Sequence, residues 1–312
     1  MNENGMELSA TDIALLEAIA DMEKGLAEGA VNIRKDSGCA TRVETDNIKI
    51  VSKTDVSGID IHIAPGTKES CHIPVVITKS GLQEVVYNDF YVGEGADVTI
   101  IAGCGIHNCG SEASRHDGVH TFHIGKNARV KYVEKHYGEG DGLGENIMNP
   151  ETVCYLEEGA FLQMETSQIA GIDSTKRKTS VVCGKNAEVV ITERLLTHGK
   201  QVADSDMIIE LNGEDSKGRV ISRSVAQDES VQHFVPRVVG NARCFGHVQC
   251  DSIIMGNARI SSVPEIDANC VDAQLIHEAA IGKIAGDQLL KLQTLGLSEE
   301  EAEDRILKGF LA

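Results

Sequence analysis

Hydrophobic and polar residues alternate with period two over most of this chain, and the period changes only near its two ends. Behind Ser9, the residues Ile13, Leu16, Ile19 and Leu26 recur at near-helical spacing, Asp12 completes a capping box with Ser9, and Gly29 offers a stop. This predicts one amphipathic helix in segment 1–30. From about residue 31 the sequence becomes short Val/Ile/Thr-rich runs separated by Gly, Asn and Asp, which reads as an all-β body over 31–284. The helical period returns in 285–312. There Asp287 can cap a helix with Leu289, Leu290 and Leu292 ended by Gly296, and Ser298 with Glu301 opens a second helix that Gly309 closes after Ile306 and Leu307.

Within the β body a phrase recurs: small turn residues, Ala or Gly, then alternating β residues. It reads GEGADVTI at 93–100, GKNARVKYV at 125–133, EEGAFLQM at 157–164, GKNAEVVIT at 184–192, GNARCFGHV at 240–248 and GNARISSV at 256–263. Ala96, Ala128, Ala160 and Ala187 are 32, 32 and 27 residues apart, with a weaker copy at Asn212-Gly213 before Ala242. Such a period marks a repeat architecture, because each unit must stack on its neighbours to bury its apolar face. Two short strands per unit with no helical pattern favour a parallel β-helix over a propeller, whose blades need four strands and usually carry aromatic signatures. Gly, Asn and Asp suit its corners because they tolerate left-handed backbone conformations. The terminal helices are expected to cap the exposed ends.

Composition agrees with a folded, strand-rich protein: 31 Gly, 5 Pro, no Trp and 41% hydrophobic residues in 312. A net charge of −19, from 29 basic against 48 acidic residues, argues against nucleic acid and anionic membranes as partners. No apolar stretch reaches the roughly 20 residues of a membrane span, and the acidic N-terminal segment lacks a signal-peptide core, so a cytoplasmic location is expected. Nine scattered cysteines without a CxxC argue against a disulfide framework and against a zinc ribbon. Phosphate loops, nucleophile elbows, HExxH and dinucleotide fingerprints do not occur, and the Gly-rich GEGDGLG at 138–144 reads as a turn.

Two concentrations of metal-ligating residues remain. The first runs from Cys104 through His107, Cys109, His116, His120 and His123 to His136 and could hold a transition metal if adjacent coils stack these side chains; otherwise they are polar corner residues. The second comprises Cys244, His247 and Cys250, then Cys270, His277 and Glu278. In a strand Cys244 and Cys250 share a face while His247 points away, and His277 and Glu278 face opposite sides unless the backbone bends.

At these residues the sequence resembles the SufB/SufD family of iron–sulfur cluster assembly proteins. The resemblance rests on Gln249-Cys250-Asp251-Ser252 with the following Ile-Ile-Met, on His277-Glu278-Ala279, and on GDQLLKLQTLGLSEEEAEDRILKGF at 286–310; it extends more loosely back through Gly213-Glu214-Asp215-Ser216. It implies a right-handed parallel β-helix flanked by helices, dimerisation through the β-helices, and an ABC-type ATPase, SufC, bound by the C-terminal helical region. The positions of Leu289, Leu292, Leu295, Ile306 and Phe310 would then face that partner. It also implies a transient iron–sulfur cluster, with Cys250 and Glu278 at the family's cluster-forming positions and His277 as an additional ligand. A mixed ligand set suits a scaffold that must release its product.

The chain departs from SufB-type sequences in its short N-terminal region, in having no Trp, and in reading Met207-Ile208-Ile209 where those chains have a sulfur-accepting cysteine. Cys183 or Cys154, on neighbouring repeats, could substitute in taking sulfur from a cysteine desulfurase or other donor. A homodimer is expected, with two copies of Cys250 and Glu278 meeting at a two-fold interface, or else a heterodimer with a related chain. The expected role is non-enzymatic. The competing readings are a carbohydrate-active β-helix enzyme and a cluster-free regulator of the ATPase.

Overall fold

In the computed structural model, which describes residues 7–25 and 27–311, the segment Ala30–Gly282 winds as a parallel β-solenoid of about eight turns. Its strands form two eleven-stranded sheets enclosing one continuous core. The first sheet includes Asp97–His107, Arg129–Glu139, Phe161–Ala170, Glu188–Thr197, Ser216–Ala226, Cys244–Ile254 and Ala273–Gly282, in that spatial order. The second includes Gln83–Val92, Ser114–Ile124, Ser174–Cys183, Val202–Leu211 and Val231–Gly240. Inward positions alternate along Arg129–Glu139, Ser174–Cys183 and Val202–Leu211, as period two requires.

The recurring phrase is a corner. Gly95, Asn127, Gly159, Asn186 and Asp215 all adopt left-handed conformations, with φ between 54° and 70°. Each donates its N–H to the next turn, to the carbonyls of Lys126, Glu158, Lys185, Glu214 and Arg243 respectively. Side chains other than Gly, Asn and Asp are strained in that conformation, which explains the composition of the corner. The stacked small residue that follows is Ala96, Ala128, Ala160 and Ala187, then Ser216 and Cys244 rather than Asn212-Gly213 and Ala242. The GNAR phrase at 256–259 belongs to the opposite corner and leads into Arg259–Ser262 of the second sheet.

Helix α1 (Ala10–Ala20) starts at the predicted capping box, with Asp12 N–H donating to Ser9 Oγ and Ser9 N–H donating to Asp12 Oδ2. It ends earlier than expected, at Asp21, whose left-handed conformation closes it; Leu26 lies outside the described residues. Leu15, Leu16 and Ile19 are buried against the outer face of the first sheet, where Gly103 and Gly105 leave room for the helix. The expectation that α1 caps the solenoid end is therefore corrected: an apolar sheet face was available to cover the helix stripe. The N-terminal end is closed instead by antiparallel strands Gly38–Val43 and Ile48–Ser52. Arg42 ties the two together, donating to Ile50 O and Ser52 Oγ, and Glu44 accepts the Ile50 N–H.

Helices α2 (Gly286–Thr294) and α3 (Glu299–Leu311) pack on each other, and α3 lies against the outer face of the first sheet, with Arg223 donating to Phe310 O. They do not cap the C-terminal end. The Ser298–Glu301 box is present. Ala285, not Asp287, occupies the N-cap of α2, and Gly309 sits inside α3, which continues to Leu311. Among the described residues no helix is long and apolar enough to cross a membrane.

Candidate metal site at the open end

Strands Cys244–Ile254 and Ala273–Gly282 pair in parallel, placing Val248 beside His277, Gln249 beside Glu278 and Cys250 beside Ala279. Alternation turns Cys244, Val248 and Cys250 inward, with Ala273 and Leu275 packed against the core beside them. His277 shares their phase, and its Nε2 lies 3.5 Å from Cys250 Sγ. Glu278 turns to the outer face, with Oε2 3.4 Å from His247 Nε2. The three predicted ligands are thus divided by the sheet: the Cys250 thiol and His277 imidazole inside, the Glu278 carboxylate outside beside His247. Because the strand runs unbroken through 277 and 278, His277 and Glu278 face opposite sides, as the alternation predicts.

Cys250 is 2% exposed. Burial pushes its thiol up to about 11, against a hydrogen bond with Ser262, and Glu193 and Asp251 add to the rise. At neutral pH the group is a thiol whose proton a binding metal must displace. Burial, and then the neighbouring His247, hold His277 below the usual histidine range, which favours the neutral imidazole that ligates metals. Among the described residues, no three His, Cys, Asp or Glu side chains converge as a metal cage.

A buried polar seam that the sequence reading missed runs through the interior toward Cys250. Ser222 is the register neighbour of Cys250 and donates to Glu193 Oε2 at 3.2 Å. Ser205 donates to Glu193 Oε1 at 2.9 Å, and Arg177 Nε is 3.9 Å from the same oxygen. Arg177 also pairs directly with Glu134, which accepts from Tyr132. Burial alone would raise the Glu134 carboxyl, but Arg177 and His136 outweigh it and hold the group well below the carboxylate range. His120 Nδ1 is 2.7 Å from Tyr132 Oη and Nε2 is 3.3 Å from Asn88 Nδ2, so a neutral imidazole satisfies both contacts; burial lowers its titration to about 4. The signal for the last part was the coil length itself: Glu193, Ser222 and Cys250 are spaced 29 and 28 residues apart, one turn each.

The first concentration of His and Cys does not converge. His116 pairs with Glu84 inside, His120 and His136 belong to the polar seam, and Cys104 is buried. His123 lies on the outer face of the second sheet, in a ladder of stacked rings His62, Tyr91, His123 and Tyr155. Only His107 and Cys109 meet, 3.0 Å apart at the surface. Cys154 and Cys183 are both fully buried in the apolar core, and burial pushes Cys183 up to about 12, so neither offers an accessible thiolate for sulfur uptake. Of the expected partner-facing residues, Leu295 is 74% exposed, while Leu289, Leu292, Ile306 and Phe310 are half-buried.

Residues 77–310 match the family described as SUF system FeS cluster assembly, SufBD core domain. The chain belongs to the SufBD family. An iron-sulfur cluster assembly SufBD family protein of Methanocaldococcus jannaschii is 26% identical over 283 residues, covering 90% of this chain and 87% of that one. One from Archaeoglobus fulgidus is 28% identical, covering 89% and 73%, and one from Pyrococcus horikoshii is 35% identical over a shorter 190 residues, 51% and 43%. The SufBD match runs from residue 77 through the rest of the solenoid and the C-terminal helices, so the last turn and its Cys250–His277 contact lie within the family's core domain.

Proposed function

We propose that this SufBD family chain is a cytoplasmic scaffold, not an enzyme, on which a transient iron–sulfur cluster is built where the open ends of two copies meet. The observation that carries the proposal is the Cys250–His277 pair, 3.5 Å apart, in a last turn whose edge strand has no further strand beside it among the described residues. Strand Ala273–Gly282 presents its free edge with Ile276 and Ile281 exposed, a surface that invites a second chain. Two-fold symmetry doubles the ligand count: two thiols and two imidazoles from the interiors, with Glu278 and His247 at the rim as exchangeable ligands. A related SufBD chain could take the second copy's place. A SufC-like ABC-type ATPase engaging α2 and α3, with Leu295 outermost, would drive opening and release, and a cysteine desulfurase or similar donor would supply sulfur.

The test is anaerobic reconstitution with ferrous iron and sulfide, read by absorbance and by iron and sulfide analysis, alongside the mass in solution. The parent chain should assemble a cluster as a dimer, Cys250→Ala should lose it, and His277→Ala should retain a fraction. Unchanged yield in Cys250→Ala, or a cluster held by a stable monomer, would overturn the proposal. Assembly with the ATPase but no iron or sulfide bound would instead favour the cluster-free regulator.

A further inference from the structure

Cys109, His107 and Glu139 form a connected set at the surface, remote from the open end. Strands Asp97–His107 and Arg129–Glu139 run in parallel register and end with His107 directly beside Glu139. Glu139 Oε1 lies 3.0 Å from His107 Nδ1, and Tyr137 donates to the other carboxylate oxygen at 3.2 Å. His107 Nε2, the opposite ring nitrogen, lies 3.0 Å from the Sγ of exposed Cys109. The order is therefore nucleophile, base, orienting carboxylate, each link at hydrogen-bond distance. Because Glu139 engages the nitrogen that faces away from the thiol, the three do not converge on a common point and do not make a metal cage.

The loop that carries Cys109 is fixed. Asn108, 2% exposed, accepts from Gly110 N–H and donates to the carbonyls of Glu112 and Gly144. The Gly-rich turn after Glu139 lies on it backbone to backbone: Gly142 N–H donates to Asn108 O, and Leu143 and Gly144 N–H both donate to Gly110 O. A side chain at Gly140, Gly142 or Gly144 would collide with this loop at 2.1 to 2.3 Å. GEGDGLG is thus the clamp that holds the thiol beside its base. Cys39, also exposed, offers a contrast: its thiol faces the amide oxygen of Asn32 at 3.7 Å, which cannot take a proton.

We infer that Cys109 is an activated thiol that takes up sulfane sulfur from a persulfide. In the step, His107 Nε2 accepts the Cys109 proton and the thiolate attacks the outer sulfur of the donor R–S–SH. The Cys109 Sγ–S bond forms, the donor's S–S bond breaks to release R–S⁻, and the proton passes from His107 to that departing thiolate. The products are Cys109–S–SH and R–SH, with no net oxidation. The choice of a sulfur donor rests on the cluster-scaffold proposal, since a cluster requires sulfide as well as iron. Cys109 lies five strand spacings, roughly 24 Å, from the strand of Cys250, so uptake and cluster building occupy separate stations and a second exchange must connect them.

The test uses the full chain and two donors: glutathione persulfide, and a cysteine desulfurase carrying its own persulfide, which separates a diffusible from a protein source. Persulfide mapped by mass spectrometry should appear first on Cys109 among the nine cysteines with at least one donor. His107→Gln should slow loading by about 100-fold, the lower range for a general base. Glu139, as a positioning residue, should cost about 10-fold as Glu139→Ala, with most of the rate restored by Glu139→Gln, whose amide oxygen still accepts from Nδ1. Loading elsewhere first from both donors, or rates unchanged in His107→Gln, would overturn the inference. Reconstitution from inorganic sulfide bypasses this step, so Cys109→Ser should assemble a cluster normally there. If Cys109 loads but Cys250→Ala leaves that cluster yield unchanged, the scaffold proposal fails and the activated thiol stands.

Discussion

At its N-terminal end the solenoid finishes on antiparallel strands whose edge groups are met by side chains of the same chain, Arg42 and Glu44 among them, over a layer in which Ile48, Ile50 and Ile61 are buried. At its C-terminal end the parallel strand Ala273–Gly282 has no covering layer among the described residues, and Val263, Ile266, Val271, Ile276 and Ile281 are all exposed around it. Both ends face the same problem, an unpaired sheet edge that attracts other chains. One is covered within the chain; among the described residues the other is not. The residues the SufBD resemblance selects, Cys250, His277 and Glu278, are at the end left open.

The contrast predicts opposite responses to similar truncations. Ile61→Ala, at a fully buried position under the closing strands, should destabilise the protein by about 3 to 4 kcal/mol in urea unfolding. Ile276→Ala, 45% exposed at the open edge, should change the stability of the single chain by less than about 0.5 kcal/mol while weakening self-association in sedimentation. Comparable losses at both positions would erase the distinction between the ends.

Acid should act on the interior of the closed half. His120 titrates at about 4 in the folded chain, below its ordinary 6.5, so the folded state binds fewer protons between those values. Its contribution is full above pH 6.5 and is lost as pH falls toward 4, about 3 kcal/mol in all. Unfolding at pH 7.5 and 4.5 should show this slope, and His120→Gln should flatten it relative to the parent; an unaltered slope would mean that His120 is not held neutral. Glu84 adds a lower window: burial would raise it, but His116 and Arg34 bring it to about 2, so its contribution persists until pH falls below about 4.5.

A local effect is expected at α1. Ser9→Ala removes the capping hydroxyl and should cost about 1 kcal/mol, with faster hydrogen exchange confined to the first turn of the helix. Exchange changes reaching the open end would contradict the separation of the two regions.

Much of this molecule was legible in its sequence because its determinants are local. Period two fixes which side chains face inward, the Gly/Asn/Asp corners fix where the chain turns, and Ser9 with Asp12, and Ser298 with Glu301, fix helix starts. The same alternation already placed His277 and Glu278 on opposite faces. The sequence could not say where the helices would lie, since an apolar stripe specifies burial but not the surface that buries it, and α1 and α3 took sheet faces rather than solenoid ends. Nor could it place Cys109 against His107 and Glu139, or align Glu193 and Ser222 with Cys250. Apart from the local Cys109–His107 contact, these join residues a full turn apart, and they depend on coil lengths that vary from 27 to 32 residues and become definite only when the turns stack.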